Sequence, residues 1–268
     1  MLKKSAFGTG IFLVMVYAGI CGYFYSIQES IIFNPRVLDE NAGYGYSFQF
    51  KERWFEPEED VRIQAVHAFT DADTAKGLVM YLHGNRGANQ TNADKYTLFL
   101  DNGYDMIYPD YRIYGKSRGE MEGEEDLVGD IRYVFNEMVK EYGEDNIVIV
   151  GYSLGSGVAA QVAEAYDPKM LILWTPFKSL VDVKDSEFSF LPDFLMKYTL
   201  RTDEALQQID EPVHIFYAGA DQVLPVERSL ALTDYLKEGD SYTIIEGQRH
   251  GWIYRHPELQ DGLRELLE

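Results

Sequence analysis

Cysteine occurs once in this 268-residue chain, at Cys21, inside an N-terminal apolar stretch. The rest of the chain therefore holds no disulfide, no thiolate metal site and no cysteine nucleophile. A body without cysteine suits any compartment. Basic residues are scarce too: 24 Lys and Arg stand against 44 Asp and Glu, a formal net charge of −20. Such a surface repels phosphate backbones, so nucleic acid is excluded as a partner. It also disfavours a strongly anionic substrate unless a local basic patch collects it. Neither a repeat period nor a low-complexity tract divides the chain. Apolar residues are plentiful: 46% hydrophobic and 14% aromatic content can bury a large core and speaks against disorder.

Residues 5–28 carry no charge, with Lys3 and Lys4 before them and Glu29 after. About 20 predominantly apolar residues cross a bilayer, so the run is long enough. Lysines on the short N-terminal side favour a cytoplasmic N-terminus, with the body on the extracytoplasmic side of a single-pass membrane protein. Tyr23, Phe24 and Tyr25 sit where an interfacial aromatic belt belongs. The competing reading is a signal peptide cut after Ala18, which would make the body a secreted protein. That cut leaves GICGYFY as a strongly apolar mature end, so residues 1–28 are read as an uncleaved anchor. Ile20 before Cys21 makes AGIC a poor lipid-attachment site.

Residues 29–60 read as linker and early strand, with QESIIFNPR ending in a turn at Asn34-Pro35. Residues 61–69 alternate as a half-exposed strand. Short continuous apolar runs follow at residues 77–82, 106–108, 147–150, 170–174, 213–217 and 242–245, the pattern of parallel strands covered on both faces. Helix-like segments lie between or after them at residues 126–142, 154–166, 226–236 and 257–267. The alternation predicts an α/β domain over residues 61–268, an open, mostly parallel, doubly wound sheet. Residues 185–204 interrupt it with an aromatic-rich insertion, read as a small lid or as an amphipathic crossover helix.

The pattern G-x-S-x-G occurs twice, in GKSRG around Ser117 and in GYSLG around Ser153. A nucleophile turn needs a buried strand entering, a sharp strained bend and a helix leaving. Ser153 has IVIV before it and LGSGVAAQVAEAY after it, with helix-start N–H groups placed to stabilise developing negative charge. Around Ser117, Asp110, Arg112 and Lys116 interrupt the apolar run, and loop-like GEMEGEED follows. A phosphate loop there would need glycine where Asp110 stands. Ser153 is the candidate nucleophile.

A serine hydroxyl needs a base, and the base an orienting acid. Of the five histidines, His67 and His214 fall inside strands and His83 before a glycine turn, where it reads as structural. His250, in EGQRHGW directly after the last strand, is preferred over His256, which precedes Pro257 at the start of the final helix. The chain order serine, acid, histidine then selects Asp221, in the loop after the strand at 213–217. Asp182 is the fallback acid, and Asp110 reads as a loop anchor. The N–H groups of Leu154 and Asn85, the latter in MYLHGNRGANQ, are the candidate oxyanion donors.

From about residue 28 onward, QESIIFNPR, YLHGNRG, DYRIYGKS, GYSLGSG, PFKSL, PVHIFYAGADQVLP and GQRHGW follow in order. Together they resemble the α/β-hydrolase superfamily, and within it the membrane-anchored, small-lid serine hydrolases of the bacterial envelope. The resemblance implies a Ser153, Asp221, His250 triad and acyl transfer with no metal or cofactor. Departures are Ile113 where relatives usually have glycine, Arg86 beside the oxyanion turn, and Gln248-Arg249-His250-Gly251 where a GHN block is common.

The expected activity is cleavage of carboxylic esters or thioesters through an acyl-enzyme. The alternatives are a peptidase on the same triad and a membrane-tethered binding protein without catalysis. Tethering suggests a lipid-like ester substrate, and Phe188, Phe190, Phe194, Tyr198, Trp174 and Trp252 are candidates for an apolar acyl pocket or for the core. A sequon at Asn89-Gln90-Thr91 carries no weight on its own.

Overall fold

The computed structural model describes residues 2–90 and 94–268. Apolar residues with no charge between Ser5 and Gln28 continue as one helix, α1 (Leu2–Ile32). The expected linker over QESII is thus helical, because Gln28 and Glu29 face partners in the body rather than water. Asn34–Pro35 is no plain turn: it forms a two-residue strand, β1, parallel to β5 (Arg86–Gly87).

The main sheet has eight strands in the order β10-β9-β8-β7-β4-β6-β3-β2. These are β2 (Phe50–Phe55), β3 (Ile63–Ala68), β4 (Leu78–Leu82), β6 (Asp105–Pro109), β7 (Ile147–Tyr152), β8 (Met170–Trp174), β9 (Val213–Ala218) and β10 (Ser241–Ile245). From β6 to β10 every neighbouring pair is parallel, while β3 runs antiparallel to both β6 and β2. The predicted open, mostly parallel α/β sheet is therefore present. Strand β4 (LVMYL) is buried throughout, as its apolar run requires at the centre of a sheet covered on both faces. Strand β2 (FKERWF) hides in sequence because Lys51 and Glu52 face solvent on an edge, where charge also discourages further pairing.

Helices α3 (Glu124–Tyr142) and α4 (Leu154–Ala163) cover one face, and α2 (Asp94–Leu100) and α8 (Pro257–Leu266) the other. Helix α3 begins with Glu124, Glu125 and Asp126, whose charges suit its positive end, and stops at Gly143 with φ 80. The helix expected over 226–236 divides into a short α7 (Val226–Ser229) and a 3₁₀ turn over Leu230–Tyr235. The insertion after β8 starts earlier than expected. It forms α5 (Leu180–Phe188), a 3₁₀ turn at Asp193–Leu195 and α6 (Thr202–Ala205), a small cap between the body and α1.

Candidate active site

Ser153 stands between the end of β7 and the first residue of α4, with φ 52 and ψ −119. A non-glycine residue held there stores strain of about 1–3 kcal/mol, which the surrounding packing must sustain. Two glycines make the bend feasible. A Cβ on Gly155 would lie 2.2 Å from Leu82 O, and one on Gly151 2.5 Å from Gly155 O, so neither position has room for a side chain. The bend is pinned by Ser153 N–H donating to Trp174 O at 3.0 Å and Ser156 N–H donating to Ser153 O at 2.8 Å.

The strain aims the hydroxyl. Ser153 Oγ lies 2.9 Å from His250 Nε2, and His250 Nδ1 lies 2.6 Å from Asp221 Oδ2. Asp221 follows β9, and its other oxygen accepts from the N–H groups of Val223 at 2.8 Å and Leu224 at 2.9 Å. Those two bonds fix the carboxylate, so Nδ1 carries the proton facing it and Nε2 accepts from the serine. The residues predicted as nucleophile, base and acid thus meet, although 97 residues separate the first two.

The backbone donors follow the same elbow. Leu154 opens α4, so no helical carbonyl lies four residues back to take its N–H. The His83-Gly84-Asn85 turn leans on the bend, since a Cβ on Gly84 would lie 3.3 Å from Ser153 Cβ. Asn85 is tied in place by its carbonyl, which accepts from Asn34 N–H at 2.9 Å and Tyr114 Oη at 2.7 Å.

The remaining candidates are occupied elsewhere. Asp182 binds Arg228 at 2.8 Å, and His256 caps α8 by accepting from Glu258 N–H. His67 meets Tyr142 Oη at 2.8 Å and His214 meets Ser241 Oγ at 2.7 Å; burial lowers both imidazoles to about 4. His83 is structural as expected. Its ring packs on Tyr111 with centroids 4.2 Å apart, Nδ1 donates to Gly84 O at 2.7 Å, and burial lowers it to about 3. Asp110, 3.6 Å away, is pushed well above the usual carboxylate range by burial.

Three contributors escaped sequence reasoning. Tyr152 Oη donates to His250 O at 3.1 Å, and Gln248 Nε2 braces the same loop through Gly251 O at 2.8 Å. Beneath Tyr152 lies Lys95, buried, with its ammonium 5.1–5.9 Å from the rings of Tyr81, Tyr108, Tyr152 and Tyr254. Among the described residues no carboxylate pairs with it, and burial lowers it to about 8. The GYS triplet was legible for its serine, whereas a tyrosine at that place carries no pattern of its own.

The six aromatic residues considered for an acyl pocket separate. Trp174 and Tyr198 belong to the cores on opposite sheet faces, while Phe188, Phe190, Phe194 and Trp252 are exposed. Ile113 packs at the margin of the larger core, and Arg86 is exposed on β5. Asn89 is buried and donates to Gln64 Oε1 at 2.7 Å, which removes it as a glycan site; Thr91 lies outside the described residues.

Residues 73–192 match the family described as "Serine aminopeptidase, S33", a span that includes Ser153 and ends before Asp221 and His250. A lysophosphatidylserine lipase (ABHD12) of Xenopus tropicalis is 28% identical over 299 aligned positions, covering 90% of this chain and 76% of the relative. The chain has the fold of the α/β-hydrolase superfamily and is similar in sequence to hydrolases of that kind. Two solved structures of this superfamily's fold align closely with it. A Pyrococcus furiosus esterase, Pf2001, superposes with a TM-score of 0.69 at 18% identity, over 87% of this chain and 98% of the esterase. An alpha-beta serine hydrolase homologue from Coxiella burnetii gives a TM-score of 0.63 at 17% identity, over 84% and 100% of the two chains. At those identities the superpositions speak for the fold.

Proposed function

We infer that this α/β-hydrolase is a serine hydrolase of carboxylic esters or thioesters, with Ser153 as nucleophile, His250 as base and Asp221 as orienting acid. The continuous contact from Ser153 Oγ through His250 to Asp221, at 2.9 and 2.6 Å, carries the reading. In acylation, Ser153 Oγ bonds to the substrate carbonyl carbon while its proton passes to His250 Nε2. The bond to the leaving alcohol or thiol then breaks as that proton is delivered to it. In deacylation, water gives its proton to His250 and attacks the acyl carbon, and Ser153 recovers a proton as the free acid departs. The N–H groups of Leu154 and Asn85 would hold the oxyanion; one such donor is typically worth about 10²–10³ in turnover. No step calls for a metal or cofactor.

A lipid-like ester is the favoured substrate class. The lysophosphatidylserine lipase relatives support it, as does α1, whose residues Gly8–Ile32 are long and apolar enough to cross a membrane. In this reading residues 1–28 anchor the chain and the hydrolase domain with its cap works on the extracytoplasmic side. Peptidase activity is the second reading, favoured by the serine aminopeptidase description of the family match.

Purified full-length chain treated with a fluorophosphonate probe should acquire an adduct that Ser153→Ala abolishes. An unlabelled wild-type protein would point instead to a binding role without catalysis. p-Nitrophenyl esters of short and long acyl chains, run beside an aminoacyl p-nitroanilide, separate the substrate classes. Equal rates for both chain lengths would count against a lipid preference, and faster anilide cleavage would favour the peptidase.

A further inference from the structure

The C-terminal half of α1 does not stand clear of the body. Tyr17 Oη donates to Phe190 O at 2.8 Å, and the Phe24 ring lies 6.0 Å from that of Phe188. Gln28 is buried; it donates to Leu195 O at 2.7 Å and accepts from Lys197 N–H at 2.9 Å. The cap from the end of α5 to Leu195 is thus strapped along the helix between Tyr17 and Gln28. That strap sets its depth in any bilayer α1 crosses. From Lys4 to Tyr23 the helix rises about 29 Å at 1.5 Å per residue, close to the roughly 30 Å of a hydrocarbon core. Tyr17 lies roughly 9 Å below the level of Tyr23, and helical side chains lean toward the N-terminus, which carries its hydroxyl deeper. The Phe190 carbonyl is held at that depth with it.

The side chains there suit lipid rather than water. Phe194 is 83% exposed and Phe190 56%, and Ile20 and Tyr23 are exposed on α1. Lys184 is buried under the tip, where it binds Asp193 at 2.6 Å and Asp185, and donates to Leu191 O at 2.8 Å. One cation thereby serves two of the three nearby carboxylates, leaving Glu187 toward solvent. A groove of about 140 Å³ between α1 and α5, lined by Phe24, Ile31, Val183, Phe188 and Met196, lies beside the tip.

We propose that the cap tip, residues 188–194, is a wedge seated in the margin of the bilayer that α1 crosses, its partner being the acyl chains of zwitterionic phospholipid. The proposal rests on the reading of α1 as a membrane span. A bilayer fits better than a second protein, because the bond from Tyr17 that fixes the tip places it alongside the span itself. The acidic body, net charge −20, sets the preference for zwitterionic over anionic headgroups.

The test uses the full chain carrying Cys21→Ala, in dioleoylphosphatidylcholine nanodiscs, with single cysteines labelled by an environment-sensitive fluorophore. Phe190→Cys and Phe194→Cys report the tip, Val14→Cys the span, and Glu265→Cys on α8 the opposite face of the sheet. The proposal expects blue-shifted emission and quenching by nitroxide-bearing lipid chains at positions 14, 190 and 194, with neither at 265. Quenching at 14 but watery, unquenched emission at 190 and 194 overturns the wedge and leaves the span standing. Unquenched emission at 14 overturns both.

Discussion

Ser117 and Ser153 occupy the same five-residue pattern, yet the bends after β6 and after β7 use it for opposite ends. At Ser117 the two glycines take the left-handed conformations, Gly115 at φ 53 and Gly119 at φ 142. The serine is left with ordinary backbone, and its buried hydroxyl is bonded twice. It donates to Asp110 O at 2.7 Å and accepts from Gln64 N–H at 2.8 Å, tying the bend to β3. At Ser153 the roles are exchanged: the glycines supply close approach, and the serine itself carries the positive φ. Its hydroxyl is turned out of the backbone network toward an imidazole. Which residue of the bend bears the left-handed conformation decides whether the hydroxyl is a strut or is available for chemistry.

Substitutions at the two bends should therefore separate activity from stability. Ser153→Ala is expected to lower kcat by roughly a millionfold while the melting temperature holds or rises, as the residue strained in the native state is also the one proposed to react. An esterase assay beside a thermal melt checks it, and residual turnover within tenfold of wild type would break the comparison. Asp221→Asn should leave the fold intact and lower kcat by about 10⁴, since the amide favours the wrong imidazole tautomer.

The next effect concerns stability beneath the site. Lys95 titrates near 10.5 when unfolded and about 8 when folded, so the unfolded chain binds more protons between those values and stability rises with pH across them. That stability is fully present above 10.5 and is lost as pH falls through 8. Lys95→Met should accordingly raise stability at pH 7 by up to roughly 3 kcal/mol, with the gain fading toward pH 10 in denaturant titrations. The smallest effect belongs to the strut. Ser117→Ala strands a buried N–H and a buried C=O, costing about 1–3 kcal/mol, with kcat per folded molecule unchanged.

Much of this architecture was readable from residues alone where the chain is locally self-consistent. The apolar runs of β4, β7, β8 and β9 needed burial on both faces and received it. The Ser153 bend was recognisable because strand, glycines and helix start all stand within a few positions. Asp221 and His250 followed from chain order, since a parallel sheet delivers successive loops to one edge. Three things were hidden by distance. Gln28 and Glu29 looked like linker because their partners, Leu195 and Lys197, lie far along the chain. Edge strand β2 was masked by its solvent-facing charges, which are informative only once its neighbour is known. Lys95 could not be seen as a caged cation because its four tyrosines come from four separate segments.

The seating of Gln28 against the cap bears on how a water-soluble fragment should be cut. Trimming to residue 29, where hydropathy alone would place the knife, removes Phe24 and Gln28 and leaves the Leu195 carbonyl and the Lys197 amide without their partner. A fragment opening near residue 22 keeps both side chains and sheds most of the greasy run. The last three turns of α1 belong, structurally, to the body.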